Sequence, residues 1–125
     1  ELFRAVLLKA KSRVESWGGR LHFVYLPQPD RYFGLFPDNP IRDRIHRRTL
    51  EIVTDLGIPL TDIVDTFGAT PDARGLFYFP GSHYNERGYR TVADTVGKAL
   101  MKTLNTAAED SRRSKRLHRS DQAMR

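Results

Sequence analysis

The sequence predicts an α/β fold, a three-layer α/β/α arrangement with a parallel sheet that is incomplete at its N-terminus. Segments with a helical spacing of apolar residues alternate with short apolar runs that suit strands. Such alternation implies right-handed crossovers between parallel strands. Only two such runs occur, whereas a sheet needs at least about three strands for independent stability. We therefore expect further strands, either upstream of Glu1 or from a partner.

The first half of the chain predicts a helix, a strand and a loop. The helix is indicated by an apolar stripe of Phe3, Val6, Leu7, Ala10, Val14 and Trp17. We expect it to end at Gly18, because glycine tolerates the left-handed conformation. The run 21–26 is almost continuously apolar and ends at Pro27, which is typical of a strand buried on both faces. Prolines and a glycine break up the next stretch, for which we predict a loop.

The second half repeats the pattern with clearer helix boundaries. Asn39 suits an N-cap and Pro40 the first helical position. This helix ends at Gly57, with an inward stripe of Ile45, Thr49, Ile52, Val53 and Leu56. A second, weaker strand is predicted over 58–64, and a turn-rich region with an aromatic patch at 76–79 follows over 66–82. Asn85 can cap a last helix with a buried face of Tyr89, Val92, Ala93, Val96 and Leu100.

Composition restricts the classes of function. The chain has 125 residues, a net charge of +6 and no cysteine, and the absence of cysteine excludes thiolate chemistry and disulfides.

We divide the chain into a domain over 1–104 and a basic tail over 105–125. The tail carries six basic against three acidic residues, and we expect it to be disordered because it lacks apolar residues. No run is apolar enough for a membrane span, and no motif indicates a nucleic-acid partner. Nothing in the sequence indicates a compartment.

The densest polar cluster surrounds His83, between the aromatic patch and the last helix. An imidazole there is held on a rigid element and can exchange a proton near neutral pH. The residues alone leave two alternatives open. His83 is either a general base facing a cleft or a residue that caps the helix and packs on the aromatic patch.

The stretch 79–93, which reads FPGSHYNERGYRTVA, resembles the last motif block of the SGNH (GDSL-type) hydrolase superfamily. In that block a histidine precedes a helix with the pattern His-x-Asn-x-x-Gly-x-x-x-x-Ala, matched here by His83, Asn85, Gly88 and Ala93. The resemblance extends over roughly residues 1–104 and implies a flavodoxin-like parallel sheet. It implies a serine ester hydrolase or O-acyl transferase, with His83 as the base and a small-molecule or carbohydrate acyl ester as substrate.

The chain departs from this family in two ways. An orienting aspartate is usual three residues before the histidine, and Pro80 stands there. Asp62, Asp65 and Asp72 are the alternatives, of which we favour Asp65. The nucleophile block Gly-Asp-Ser and the oxyanion blocks are absent, and we expect them upstream, in a missing N-terminal part of the same domain. Ser82 lacks a nucleophile elbow, so we expect this portion to be inactive alone. A catalytically inactive relative that binds carbohydrate or a protein partner is the alternative.

The loop after the first strand supplies candidate substrate-binding residues. Open α/β sheets bind ligands at the carboxyl ends of their strands, and Arg31 and Tyr32 follow such an end; the alternative is an ordinary surface loop. His46 lies among arginines on a basic helix face that suits either an anionic substrate or solvent. The histidine spacing matches no metal motif, so we predict no metal and no cofactor.

Overall fold

The chain is described by a computed structural model that covers residues 1–34 and 38–123, with backbone alone for residues 111 and 114–123. Five helices, two strands and a 3₁₀ turn follow one another in this part of the chain. In order they are α1 (Leu2–Glu15), β1 (Phe23–Tyr25), α2 (Asp30–Phe33), α3 (Pro40–Asp55), β2 (Leu60–Asp62), α4 (Ile63–Gly68), the 3₁₀ turn (Arg74–Leu76) and α5 (Glu86–Ala123).

β1 and β2 form a two-stranded parallel sheet, which confirms the predicted α/β class and strand direction. The register pairs Phe23 with Leu60 and Tyr25 with Asp62. The chain between the strands carries α2 and α3, as a parallel connection requires. Because the strands are parallel, both end at the same edge of the sheet, and this carboxyl edge is where the polar residues described below lie.

The helix boundaries follow from local chemistry. The Asn39 side chain accepts hydrogen bonds from the amides of Ile41 and Arg42, so the predicted cap of α3 is confirmed. Gly18 and Gly57 adopt positive φ after α1 and α3, as predicted for residues that end a helix. Asp62 caps α4 by accepting from the amide of Val64 at 3.0 Å.

Two apolar clusters hold the elements together. One lies between α1, α3 and the sheet and contains the buried residues Leu7, Val53 and Ile58. The other lies under the 3₁₀ turn and the start of α5 and contains Ile63, Phe67, Leu76, Phe77 and Tyr84. Phe77 and Tyr84 also form an antiparallel bridge, so the segment before α5 is part of the core rather than a free loop.

Several predicted details are different in the structure. Both strands are shorter than predicted, and the residues of β1 are half-buried rather than buried on both faces. Three short elements, α2, α4 and the 3₁₀ turn, occur where we predicted loops or strand. In the predicted stripe of α1 only Leu7 is buried, and Ile45 of α3 is 58% exposed. A sheet of two strands covers too little area to bury these stripes.

Helix α5 continues to Ala123 through the segment for which the sequence predicts a disordered tail. Residues 104–110 are exposed, so no core packing stabilises the helix there. Val92 and Val96 of the predicted face pack on the core as half-buried residues, and the ring of Tyr89, though largely exposed, lies 5.6 Å from that of Tyr84. Ala93 and Leu100, which were also predicted as buried, are exposed. Disorder of this tail in solution stays a prediction.

Candidate active site

The segment that carries His83 is fixed on both sides by backbone hydrogen bonds. The carbonyl of His83 accepts from the amide of Tyr78 at 3.3 Å, and the amide of Asn85 donates to the carbonyl of Leu76 at 3.0 Å. Gly81 adopts a positive φ of 79°, which lets the chain reverse between these contacts. The backbone of His83 is therefore held as one arm of a tight turn against the core.

Tyr84 attaches this segment to the carboxyl edge of the sheet. Its side chain is buried against Phe67 and Phe77, with ring centroids 5.2 and 5.1 Å away. Its hydroxyl donates to the carbonyl of Pro27 at 2.5 Å, and Pro27 follows β1. Burial raises the pKa of Tyr84, so the hydroxyl keeps its proton. The side chain of Tyr84 therefore connects this segment to the residue that follows Leu26 after β1.

Asn85 and Gly88 set the geometry of the helix that follows. The Asn85 side chain accepts from the amide of Gly88 at 3.0 Å, which caps α5. The side-chain Nδ2 of Asn85 also donates to the carbonyls of Gly75 and Phe77, at 2.9 and 3.1 Å. A Cβ on Gly88 would lie 2.3 Å from the carbonyl oxygen of Leu76, so glycine is required for this close approach. Both residues therefore have structural roles.

The side chain of His83, in contrast, has no structural partner. It is exposed and makes no hydrogen bond, ion pair or ring contact with any residue that the structure describes. It therefore does not cap α5, a role that Asn85 fills, and it does not pack on the aromatic cluster. Of the two alternatives that the sequence left open, capping or packing does not describe this side chain, and a general base facing a cleft stays a prediction.

None of the three candidate aspartates makes a hydrogen bond to His83. Asp65 is exposed in the first turn of α4. Asp72 accepts from the amide of Gly75 at 3.0 Å and pairs with Arg87 at 3.7 Å. Asp62 binds a different histidine, described next. The pairing of Asp65 with His83 stays a prediction.

A histidine–aspartate pair that the sequence analysis did not anticipate lies at the carboxyl edge. Nε2 of His46, on α3, is 2.8 Å from Oδ2 of Asp62, the last residue of β2. The other oxygen of Asp62 caps α4. Since an ionised carboxylate only accepts, Nε2 carries the proton. Tyr25, the partner of Asp62 in the register, packs on the imidazole with ring centroids 4.5 Å apart. Sequence spacing could not reveal this pair, because His46 and Asp62 lie on separate elements, α3 and β2, that come together only in the fold.

Arg31 and Tyr32 lie on α2 beside this edge. Nη1 of Arg31 pairs with Asp43 at 3.0 Å, and the side chain of Arg31 is 18% exposed. The ring of Tyr32 packs on Phe67 and Phe77, and burial raises the pKa of Tyr32 to about 12. Tyr32 is thus mainly a core residue, whereas Arg31 reaches a cavity.

That cavity, which we name the β1-edge cavity, has a volume of about 550 Å³. It opens at the carboxyl end of β1, between α2 and the start of α3. Arg31 and Arg42 supply its positive charge, and Asp30 supplies a negative one. The remaining lining residues are Val24, Tyr25, Leu26, Pro27, Gln28, Asn39, Ile41 and Ile45.

The described part of the chain shows neither a metal cluster nor a membrane-spanning helix. Among the side chains of residues 1–34, 38–110, 112 and 113, no three His, Asp or Glu lie close enough together to hold a metal ion. In that part of the chain, no helix has the length and apolar character needed to cross a bilayer. His22 is accounted for by a hydrogen bond to Thr61 at 2.8 Å, and burial lowers its pKa.

Comparisons of the chain with protein-family models, with curated proteins and with solved structures find no match.

Proposed function

We propose that this chain is the histidine-bearing part of a serine ester hydrolase or O-acyl transferase, with His83 as its general base. One observation carries the proposal. In the block His83-x-Asn85-x-x-Gly88, Asn85 and Gly88 hold the segment in place, and the histidine has no partner within the described chain. A general base must reach the proton that it abstracts, and the imidazole of His83 is not engaged by another group in the described residues.

The attachment of this segment supports the same function. The hydrogen bond from Tyr84 to Pro27 connects the segment to the carboxyl end of β1, and open α/β sheets bind substrates at such ends. In the proposed reaction the imidazole takes the proton of a serine hydroxyl as the oxygen attacks the acyl carbonyl. It then returns that proton to the leaving alcohol. Water or a second alcohol releases the acyl group by the same route.

The proposed enzyme needs parts that this chain does not contain, namely the serine and the oxyanion hole. We propose that they belong to further strands of a three-layer α/β/α domain. The exposed apolar residues on α1 support this, because additional strands and helices would cover them. They include Leu2, Val6 and Leu8, which are 79%, 56% and 54% exposed.

The test is covalent labelling of the longer protein with a fluorophosphonate, which reacts with activated serines. We expect labelling of a serine outside this chain and no labelling of the chain alone. His83→Ala should abolish labelling without unfolding the protein, since the side chain has no partner. Ser82→Ala, the matched neighbour, should leave labelling unchanged. Equal labelling of the wild type and the His83→Ala variant would refute the proposal.

A second candidate function is a catalytically inactive relative that binds carbohydrate or a protein. It is favoured by one observation: His83 has no orienting carboxylate among the described residues, and Pro80 stands where the family places one. For this candidate we expect the longer protein to contain the serine and His83 and yet to show neither labelling nor turnover of acyl esters.

A further inference from the structure

The β1-edge cavity contains a guanidinium group, that of Arg31, whose acidic partner lies nearer to solvent. The side chain of Arg31 is 18% exposed, whereas its partner Asp43, 3.0 Å from Nη1, is 42% exposed. Asp43 also lies 3.9 Å from Arg42, so this carboxylate serves two cations. A carboxylate exposed to this degree is screened by water, and burying a cation is costly. A further anion beside Arg31 would therefore be favourable.

The hydrogen-bonding capacity of Arg31 indicates the same kind of ligand. Nη1 faces Asp43, and the buried Nη2 makes no hydrogen bond to any residue that the structure describes. The guanidinium fork suits two oxygen atoms at once, as carboxylate and phosphate groups offer. The volume of about 550 Å³ lies within the range of small-molecule sites.

The cavity also adjoins the segment that carries His83. Pro27 lines the cavity, and the carbonyl of Pro27 accepts the hydrogen bond of Tyr84, the residue after His83. Pro27 therefore contacts both the cavity and the side chain of the residue next to the proposed base.

From these observations we infer that the β1-edge cavity binds a carboxylate or phosphate group, with Arg31 as the residue that contacts it. This inference deepens the proposed function, on which it rests for the statement that the group belongs to the substrate. The acyl ester would then be anionic rather than neutral.

The binding test uses the 125-residue chain and needs no serine. Backbone amide signals are followed by NMR at constant ionic strength while acetate, inorganic phosphate or the neutral acetamide is added. We expect saturable shifts at residues 24–31 and 39–42 with acetate, phosphate or both, and none with acetamide. A response to only one anion identifies which group the cavity takes. Equal shifts with acetamide, or no saturable shift at these residues, would overturn the inference.

Matched variants separate a built site from general positive charge. Arg31→Gln should weaken binding by about tenfold or more, since it removes a charged hydrogen-bond donor. Arg47→Gln makes the same charge change at an exposed position of α3 outside the cavity lining, and it should leave binding unchanged. Equal weakening by both would contradict the inference. If Arg31→Gln does not fold, the mapping on the wild type decides the question.

The outcomes for the two proposals can be told apart. Anion binding without serine labelling would remove the hydrolase proposal and leave a binding site. Labelling without anion binding would leave the hydrolase and remove the anionic substrate.

Discussion

The contact between α5 and the 3₁₀ turn can be tested by adding a single methyl group. In Gly88→Ala the new Cβ would lie 2.3 Å from the carbonyl oxygen of Leu76 and 3.0 Å from Cβ of Tyr84. The first of these is a backbone atom, which cannot move without shifting the turn. Overpacking of this kind costs about 1–3 kcal/mol, and we expect the upper part of that range. Alanine regains about 1 kcal/mol of helix propensity, which leaves a net loss of about 1–2 kcal/mol.

Gly97→Ala is the matched control, because it makes the same change in the same helix and its Cβ would meet nothing within 4 Å. It should stabilise the chain by up to about 1 kcal/mol. The difference between the two variants isolates the clash at about 2–3 kcal/mol. Urea denaturation measures the free energy of unfolding of each variant. The melting temperature should shift by roughly 4 °C for each kcal/mol of change in stability. Equal stability of the two variants would refute the described packing of α5.

Three further predictions concern polar groups near the site. Asn85→Asp keeps an acceptor for the helix cap but cannot donate to the two carbonyls of the turn. Urea denaturation should therefore show a free energy of unfolding lower by about 1–3 kcal/mol. A variant as stable as the wild type would show that those two hydrogen bonds contribute nothing. Burial raises the pKa of Tyr32 from 10.0 to about 12, so the folded chain keeps a proton that the unfolded chain loses. The free energy of unfolding should therefore fall as pH rises from 10.0 to about 12. Tyr32→Phe should reduce that fall, and an unchanged slope would contradict the burial of the hydroxyl. Asp62→Asn should move the proton of His46 from Nε2 to Nδ1, because the amide would donate where the carboxylate accepts. NMR of the imidazole nitrogens reports the tautomer, and an unchanged tautomer would contradict the described pairing.

The parts of the fold that the sequence predicts are those with local causes. The Asn39 cap, the glycines that end α1 and α3, and the parallel direction of two apolar runs all follow from short-range chemistry or from alternation of elements. The exposed apolar stripes were predicted as buried because periodicity shows which face is apolar and does not show what covers it.

The site could be predicted only in part, for a related reason. His83 stands out in the sequence because it sits beside a helix cap and a glycine-containing turn. The pair of His46 and Asp62 depends on how α3 packs against β2, which local spacing does not encode. The roles of Tyr84 and of the backbone around the 3₁₀ turn likewise arise from tertiary contacts.

We propose above that His83 is the base that activates a serine. A crystal structure of the longer protein, labelled with a fluorophosphonate, would place the imidazole and the labelled serine in one structure. We expect an imidazole nitrogen of His83 about 3 Å from the oxygen of the labelled serine. A labelled serine beside His46, or one far from both histidines, would contradict it.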